Sequence, residues 1–191
     1  MPDTARGQTV IDFAIAMGVF LVAVTFVFSF IPSLTTPFVQ GNQDTSVTAD
    51  RVASHLAQGA LGDPADPFVV DDACAEVFFD DTPSIPSGCG YSGSTFYDRI
   101  GVDGDRQNVN VTIEQINASA SGDDRFRTVC LNNSGGLNHT GFGDCDTEFV
   151  VGDTATDRSS VVVARRVVTI PGCDFGSDIQ SCDAVLKVRV W

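Results

Sequence analysis

A run without charge constrains this chain more than any other feature. Residues Phe13 to Ile31 read FAIAMGVFLVAVTFVFSFI, and no Asp, Glu, Lys or Arg occurs between Asp12 and Asp44. At 1.5 Å of rise per residue, those nineteen positions make a helix about 28 Å long, close to the hydrocarbon thickness of a bilayer. A surface helix of a soluble protein keeps one polar face, and this run has none. It crosses a membrane or packs in an equally dry bundle. Pro32 is expected to end the helix, and Pro37 to stop it from resuming quickly. A cleaved secretory signal is the main competitor. The run exceeds the usual apolar core of such signals, and its exit, Ile31-Pro32-Ser33-Leu34-Thr35-Thr36-Pro37, offers no small-x-small cleavage site.

Composition matters once it is divided at this run. The 191 residues carry a formal net charge of −14, yet 43% of them are hydrophobic. Residues 1–40 contribute only Asp3, Asp12 and Arg6, so a charge of −13 belongs to the remainder. The acids are 22 Asp and 3 Glu, and the bases are 10 Arg and the single Lys187. Short carboxylates hold water and cations, whereas lysine stems expose apolar surface, so this bias is the pattern of a salt-adapted exterior. Nucleic acid is excluded as a partner because phosphate binding needs a basic face. Disorder is disfavoured by 14 Phe and six Cys, and the length suits one medium domain beside the run.

The residues before the run are Arg6-Gly7-Gln8-Thr9-Val10-Ile11-Asp12. A carboxylate at the mouth of an apolar helix is costly in lipid unless it finds a partner, which marks Asp12 as functional. The alternative is an interfacial acid that favours a helix start through the macrodipole. This arrangement resembles the class III signal of type IV prepilins, in particular the pilin-like proteins of halophilic archaea. The resemblance implies cleavage by a prepilin peptidase between Gly7 and Gln8, making Asp12 the fifth mature residue. It also implies that Asp12 meets the terminal amine of a neighbouring pilin-like subunit, a pairing that makes a buried carboxylate tolerable. Residues 1–7 are then a leader, 8–31 a transmembrane or filament-core helix, 32–43 a linker, and 44–191 an exported domain. Ala14-x-x-x-Gly18 is a small-xxx-small spacing that lets helices approach. Arg6 precedes the span and no Lys or Arg follows it before Arg51, so the positive-inside rule puts the N-terminus in the cytoplasm and the C-terminal part outside.

The exported part reads as disulfide-stabilised. Cys74, Cys89, Cys130, Cys145, Cys173 and Cys182 are separated by gaps of 15, 41, 15, 28 and 9. The short gaps favour Cys74–Cys89, Cys130–Cys145 and Cys173–Cys182 among the fifteen or so possible pairings. Metal-ligand spacing is absent, so no metal and no cofactor is expected. Four sequons begin at Asn110, Asn117, Asn132 and Asn138 and mark candidate glycosylation sites on an exposed stretch.

Periodicity places an amphipathic helix over Asp44–Leu61, with Val47, Val52, Leu56 and Ala60 inward and Gly62-Asp63-Pro64 as its stop. Everything beyond reads as β. Val109, Val111 and Ile113 alternate with Asn110, Thr112 and Glu114, and further strands are expected at Arg125–Leu131, Val161–Ile170 and Ala184–Trp191. The fold class is therefore α+β: a transmembrane helix, a short amphipathic helix, then an antiparallel sheet or sandwich with disulfides. The segments ARRVVTI and AVLKVRVW also look like the C-terminal end of the halophilic pilin-like family.

Catalytic motifs do not appear. There is no nucleophile elbow, P-loop, zinc-binding HExxH or dinucleotide fingerprint, and His55 and His139 are the only histidines. Paired acids such as Asp71-Asp72, Asp80-Asp81 and Asp123-Asp124 follow no EF-hand pattern. Arg165 and Arg166 sit on opposite faces of one strand and are expected to pair with carboxylates. The reading is a membrane-anchored, pilin-like surface protein with no catalytic residue. The alternative is a membrane-tethered extracytoplasmic enzyme or ligand-binding β domain.

Overall fold

In the computed structural model the apolar run lies within α1, a 36-residue helix from Thr4 to Val39. The structure describes residues 4–39, 42–82, 84–116, 125–141, 144–155, 160–171 and 183–191. They form two compact units, Met1–Gln43 and Asp44–Trp191. In the first unit α1 begins before Gln8 and runs through Pro32 and Pro37 rather than stopping there. A proline inside a helix removes one hydrogen bond and crowds the preceding turn, at a cost of about 3 kcal/mol. The bonds on either side survive, and an apolar helix has no better way to satisfy its backbone. The stretch read as a linker is thus helical as far as Val39 and helical again from Asn42.

All but the first two residues of α2 (Asn42–His55) belong to the second unit, and α2 runs into a widened turn at Leu56–Ala60. There Leu61 donates to the Leu56 carbonyl at 3.3 Å, five residues back. Gly59 sits at φ +147°, a conformation that needs glycine. Its carbonyl faces Gly90, where an added Cβ would lie 2.2 Å from the oxygen. The expected helix over 44–61 is therefore present, with a kink near its end. Val52, Leu56 and Ala60 are buried as expected, whereas Val47 is 64% exposed and Ala49, Ala53 and Ala57 complete the inward stripe.

Two further helices correct the expectation that only strands follow residue 62. Asp71 caps α3 (Asp72–Phe79) by accepting from the Cys74 amide, and a capping box between Thr95 and Asp98 starts α4 (Phe96–Ile100). Helices of eight and five residues are too short to display a 3.6-residue period.

The strands are β1 (Val109–Ile116), β2 (Phe126–Leu131), β3 (Leu137–His139), β4 (Thr147–Glu148), β5 (Val150–Gly152), β6 (Val162–Thr169) and β7 (Asp183–Val190). The sheet order is β3-β2-β1-β7-β6, and every pairing of these strands is antiparallel. The four expected strands are all there, in a single sheet rather than a sandwich. β1 is its centre, paired with β7 from Val109 to Gln115. On its other edge β2 pairs only with Glu114–Ile116 before diverging, and β5 takes over at Asn110–Thr112. Phe149 bridges the split, donating to the Val129 carbonyl at 2.8 Å and accepting from the Ile113 amide at 3.0 Å.

The sheet is two-faced. Val109, Val111, Ile113, Leu186, Val188 and Val190 point to a core shared with α2, α3 and α4. Asn110, Thr112, Glu114, Lys187 and Arg189 hold the alternate positions of β1 and β7, on the opposite face.

Candidate functional site

Three features carry functional chemistry. In α1, the 20 residues Val10–Ser29 are long and apolar enough to cross a membrane, and none of them is buried. Val10, Phe13 and Val22 are all more than 60% exposed on different sides of the helix. Thr25 satisfies its hydroxyl within the helix by donating to the Leu21 carbonyl at 2.8 Å. A helix apolar all round needs an apolar solvent or apolar neighbours. Asp12 stands exposed at the third residue of this stretch, and Gly7 and Gln8 lie on the helical backbone ahead of it.

The second feature is the set of cross-links. Cys74–Cys89 and Cys130–Cys145 are bonded, each with its Cα atoms 5.5 Å apart, as the gaps predicted. Each closes a loop of this size and contributes roughly 2–3 kcal/mol by restraining the unfolded chain. Cys173 and Cys182 lie outside the described residues.

Among the sequons, Asn110 is a correction. It is 6% exposed in the middle of the sheet, and its amide nitrogen donates to the Val151 carbonyl at 3.3 Å. The atom a glycan would occupy is buried and bonded. Asn132 uses only its oxygen in a tight turn, accepting from the amides of Ser134 and Gly136 at 2.9 Å each. Asn138 is half-buried and accepts from the His139 amide, and Asn117 lies outside the described residues.

The charged residues take structural roles. Arg166 pairs with Asp50 at 2.5 Å and reaches Ser54 at 3.0 Å, tying β6 to α2, while Arg165 is exposed. Asp71 caps α3, and Asp81 pairs with Arg99 at 3.2 Å. His55 ends α2 in solvent, and His139 is half-buried with Nδ1 3.2 Å from the Thr140 carbonyl. Among the described residues, no three His, Cys, Asp or Glu side chains converge as a metal site would require.

The third feature escaped the sequence reading. On the open face of the sheet, where β2 parts from β1, lies a groove of about 380 Å³ lined by Asn110, Thr112, Glu114, Thr128, Thr154 and Arg189, among others. Glu114 is 7% exposed and pairs through Oε1 with Lys187 and, at 3.6 Å, with Arg189. Arg189 also donates to Asn110 Oδ1 at 2.8 Å. The second oxygen of Glu114, Oε2, is buried without a hydrogen-bond partner. A faint signal existed: one of only three glutamates and the sole lysine both occupy mid-strand positions. Nothing in one sequence says that the two strands are neighbours.

Fold and site together define an α+β domain with two disulfides, on a chain that carries one helix of bilayer length. The chain matches DUF7287, a family of unknown function, over residues 4–191, and belongs to that family. No curated protein and no solved structure matches it.

Proposed function

We propose that this protein is a membrane-anchored, pilin-like subunit of the cell surface, processed after Gly7 and held in the bilayer or a filament core by α1. The observation that carries the reading is α1 itself, with Val10–Ser29 exposed on every side and Asp12 at its entrance. Its continuity adds support. After processing, the part of α1 from Gln8 to Val39 still makes a helix of about 48 Å, well beyond the ~30 Å that a simple anchor needs. An acid in the first turns of the span is costly in lipid, and in a packed helix a neighbour's amine neutralises it. In this reading the 44–191 domain lies outside the cell, in salt, where its acidic surface stays hydrated and its disulfides stay oxidised. Its role is structural or adhesive, as a major or minor subunit.

The test is mass spectrometry of the native protein's N-terminus, paired with microscopy of cells carrying Asp12→Ala. A terminus at Gln8 and loss of surface fibres, with the variant still in the membrane fraction, is the expected result. An N-terminus that still includes Gly7, or one beyond Ile31, removes the prepilin reading, and unchanged fibres remove the role of Asp12.

A further inference from the structure

We propose that Asn132, in the turn between β2 and β3, is the acceptor at which this domain carries an N-linked saccharide, and that Asn110 and Asn138 are not. The turn uses every polar group of Asn132 except one. Its backbone N–H donates to the Gly136 carbonyl, and its carbonyl accepts from the Gly135 amide, each at 2.9 Å. Its side-chain oxygen accepts from the amides of Ser134 and Gly136, also at 2.9 Å. A side chain held by its oxygen in this way has its amide plane fixed, with Nδ2 on the other side of the carbon. Nδ2 makes no hydrogen bond and is not buried, so it stands open to solvent. Gly136 keeps it open, because an added Cβ there would lie 3.1 Å from Nδ2.

The sequence sets the chemistry. Ser134 completes the acceptor motif Asn132-Asn133-Ser134, and residues 133–136 are all exposed. The bond from the Ser134 amide to the Asn132 oxygen draws the two motif residues together, so a membrane glycosyltransferase meets both at one protruding turn. The donor is a saccharide esterified to a membrane-lipid phosphate. A bond forms between Nδ2 and the anomeric carbon as that carbon's bond to the phosphate oxygen breaks. The amide releases one proton, and the lipid phosphate leaves. The other described motifs lack this presentation. Asn110 spends its nitrogen on the Val151 carbonyl inside the sheet, where a saccharide cannot be housed. Asn138 is half-buried in β3 opposite Cys130, and the backbone of its motif partner Thr140 is bonded to Thr128 at 2.8 Å.

This inference shares with the proposed function only the placement of residues 44–191 outside the cell. The experiment is mass spectrometry of tryptic peptides from the native full chain, with free thiols alkylated before reduction and glycan-preserving fragmentation. Peptide Thr128–Arg158 holds Asn132 and Asn138, and Gln107–Arg125 holds Asn110. A saccharide mass is expected on Asn132, with Asn110 and Asn138 bare. Ser134→Ala keeps every bond of the turn, since all of them run to backbone groups of residues 134–136, and it is expected to abolish the modification. Ser134→Thr is expected to retain it. A bare Asn132, a saccharide on Asn110 or Asn138, or one that survives Ser134→Ala would overturn the proposal. The same peptide reports location, because it contains Cys130 and Cys145. A bonded pair beside a bare Asn132 overturns this inference and leaves export standing, whereas a reduced pair beside a bare Asn132 overturns both.

Discussion

Tyr91 and Tyr97 are the two tyrosines of this chain, and the fold raises the pKa of both. Burial pushes Tyr91 up against the opposing pull of Arg99, and its hydroxyl donates to the Cys74 carbonyl at 2.8 Å. Tyr97 is pushed up to about 12, chiefly by burial and then by its hydrogen bond to Asp153. A phenol that holds its proton more tightly when folded adds stability that is complete below the unfolded value of about 10. That contribution disappears as pH climbs from about 10 through about 12. Phenolate absorbance is expected to appear later in the native protein than in denaturant, where both tyrosines should titrate near ~10. A native titration that overlays the denatured one would contradict this packing. None of it was legible in the sequence, because a tyrosine's partner is set by contacts such as residue 97 with 153, far apart along the chain.

Among the elements, α3 and α4 are joined by one side chain. Arg99 is 2% exposed and donates to the carbonyls of Val77 at 3.0 Å, Thr82 at 2.5 Å and Gly93 at 3.5 Å. It pairs with Asp81 at 3.2 Å and lies 5.7 Å from the Tyr91 ring centre. The guanidinium's planar fork satisfies a carbonyl near the end of α3 and two in the connection between α3 and α4, which no lysine could do at once. Arg99→Met should leave those part-buried carbonyls without their donor, with a loss of about 2–3 kcal/mol in chemical unfolding. A loss below about 1 kcal/mol would show that the arginine is no more than a surface ion pair. The main strands were readable because a two-residue period repeats quickly: β1 alternates apolar and polar from Val109 to Glu114, and β7 from Leu186 to Val190. α3 and α4 were not, since eight and five residues complete too few helical turns to show a period, and neither were β3, β4 and β5 at two or three residues each.

At the scale of the whole molecule, the chain holds a helix of no net charge, with Arg6 and Asp12 before its apolar run, and a domain with nearly all of the negative charge. Raising salt from 0.1 to 1 M shortens the Debye length from about 10 to about 3 Å and removes most of the domain's self-repulsion. The thermal midpoint of the full chain in detergent should therefore rise steadily with potassium chloride. A gain of about 1 kcal/mol corresponds to roughly 2–4 °C for a protein of this size, and a flat or falling midpoint would remove the salt-adapted reading of the Asp excess. The sequence by itself determined the bilayer-length helix, the α+β class, the main strands and the pairing of four cysteines. All of these depend on local composition, periodicity or short loop length, which a chain carries before it folds. Only the tertiary structure decided that Asn110 is buried and that Glu114 meets Lys187 and Arg189. Those outcomes depend on which strands become neighbours. Pairing is fixed when the alternate face of β1, with Val109, Val111 and Ile113, is drawn onto the helices and its polar face is carried to the other side.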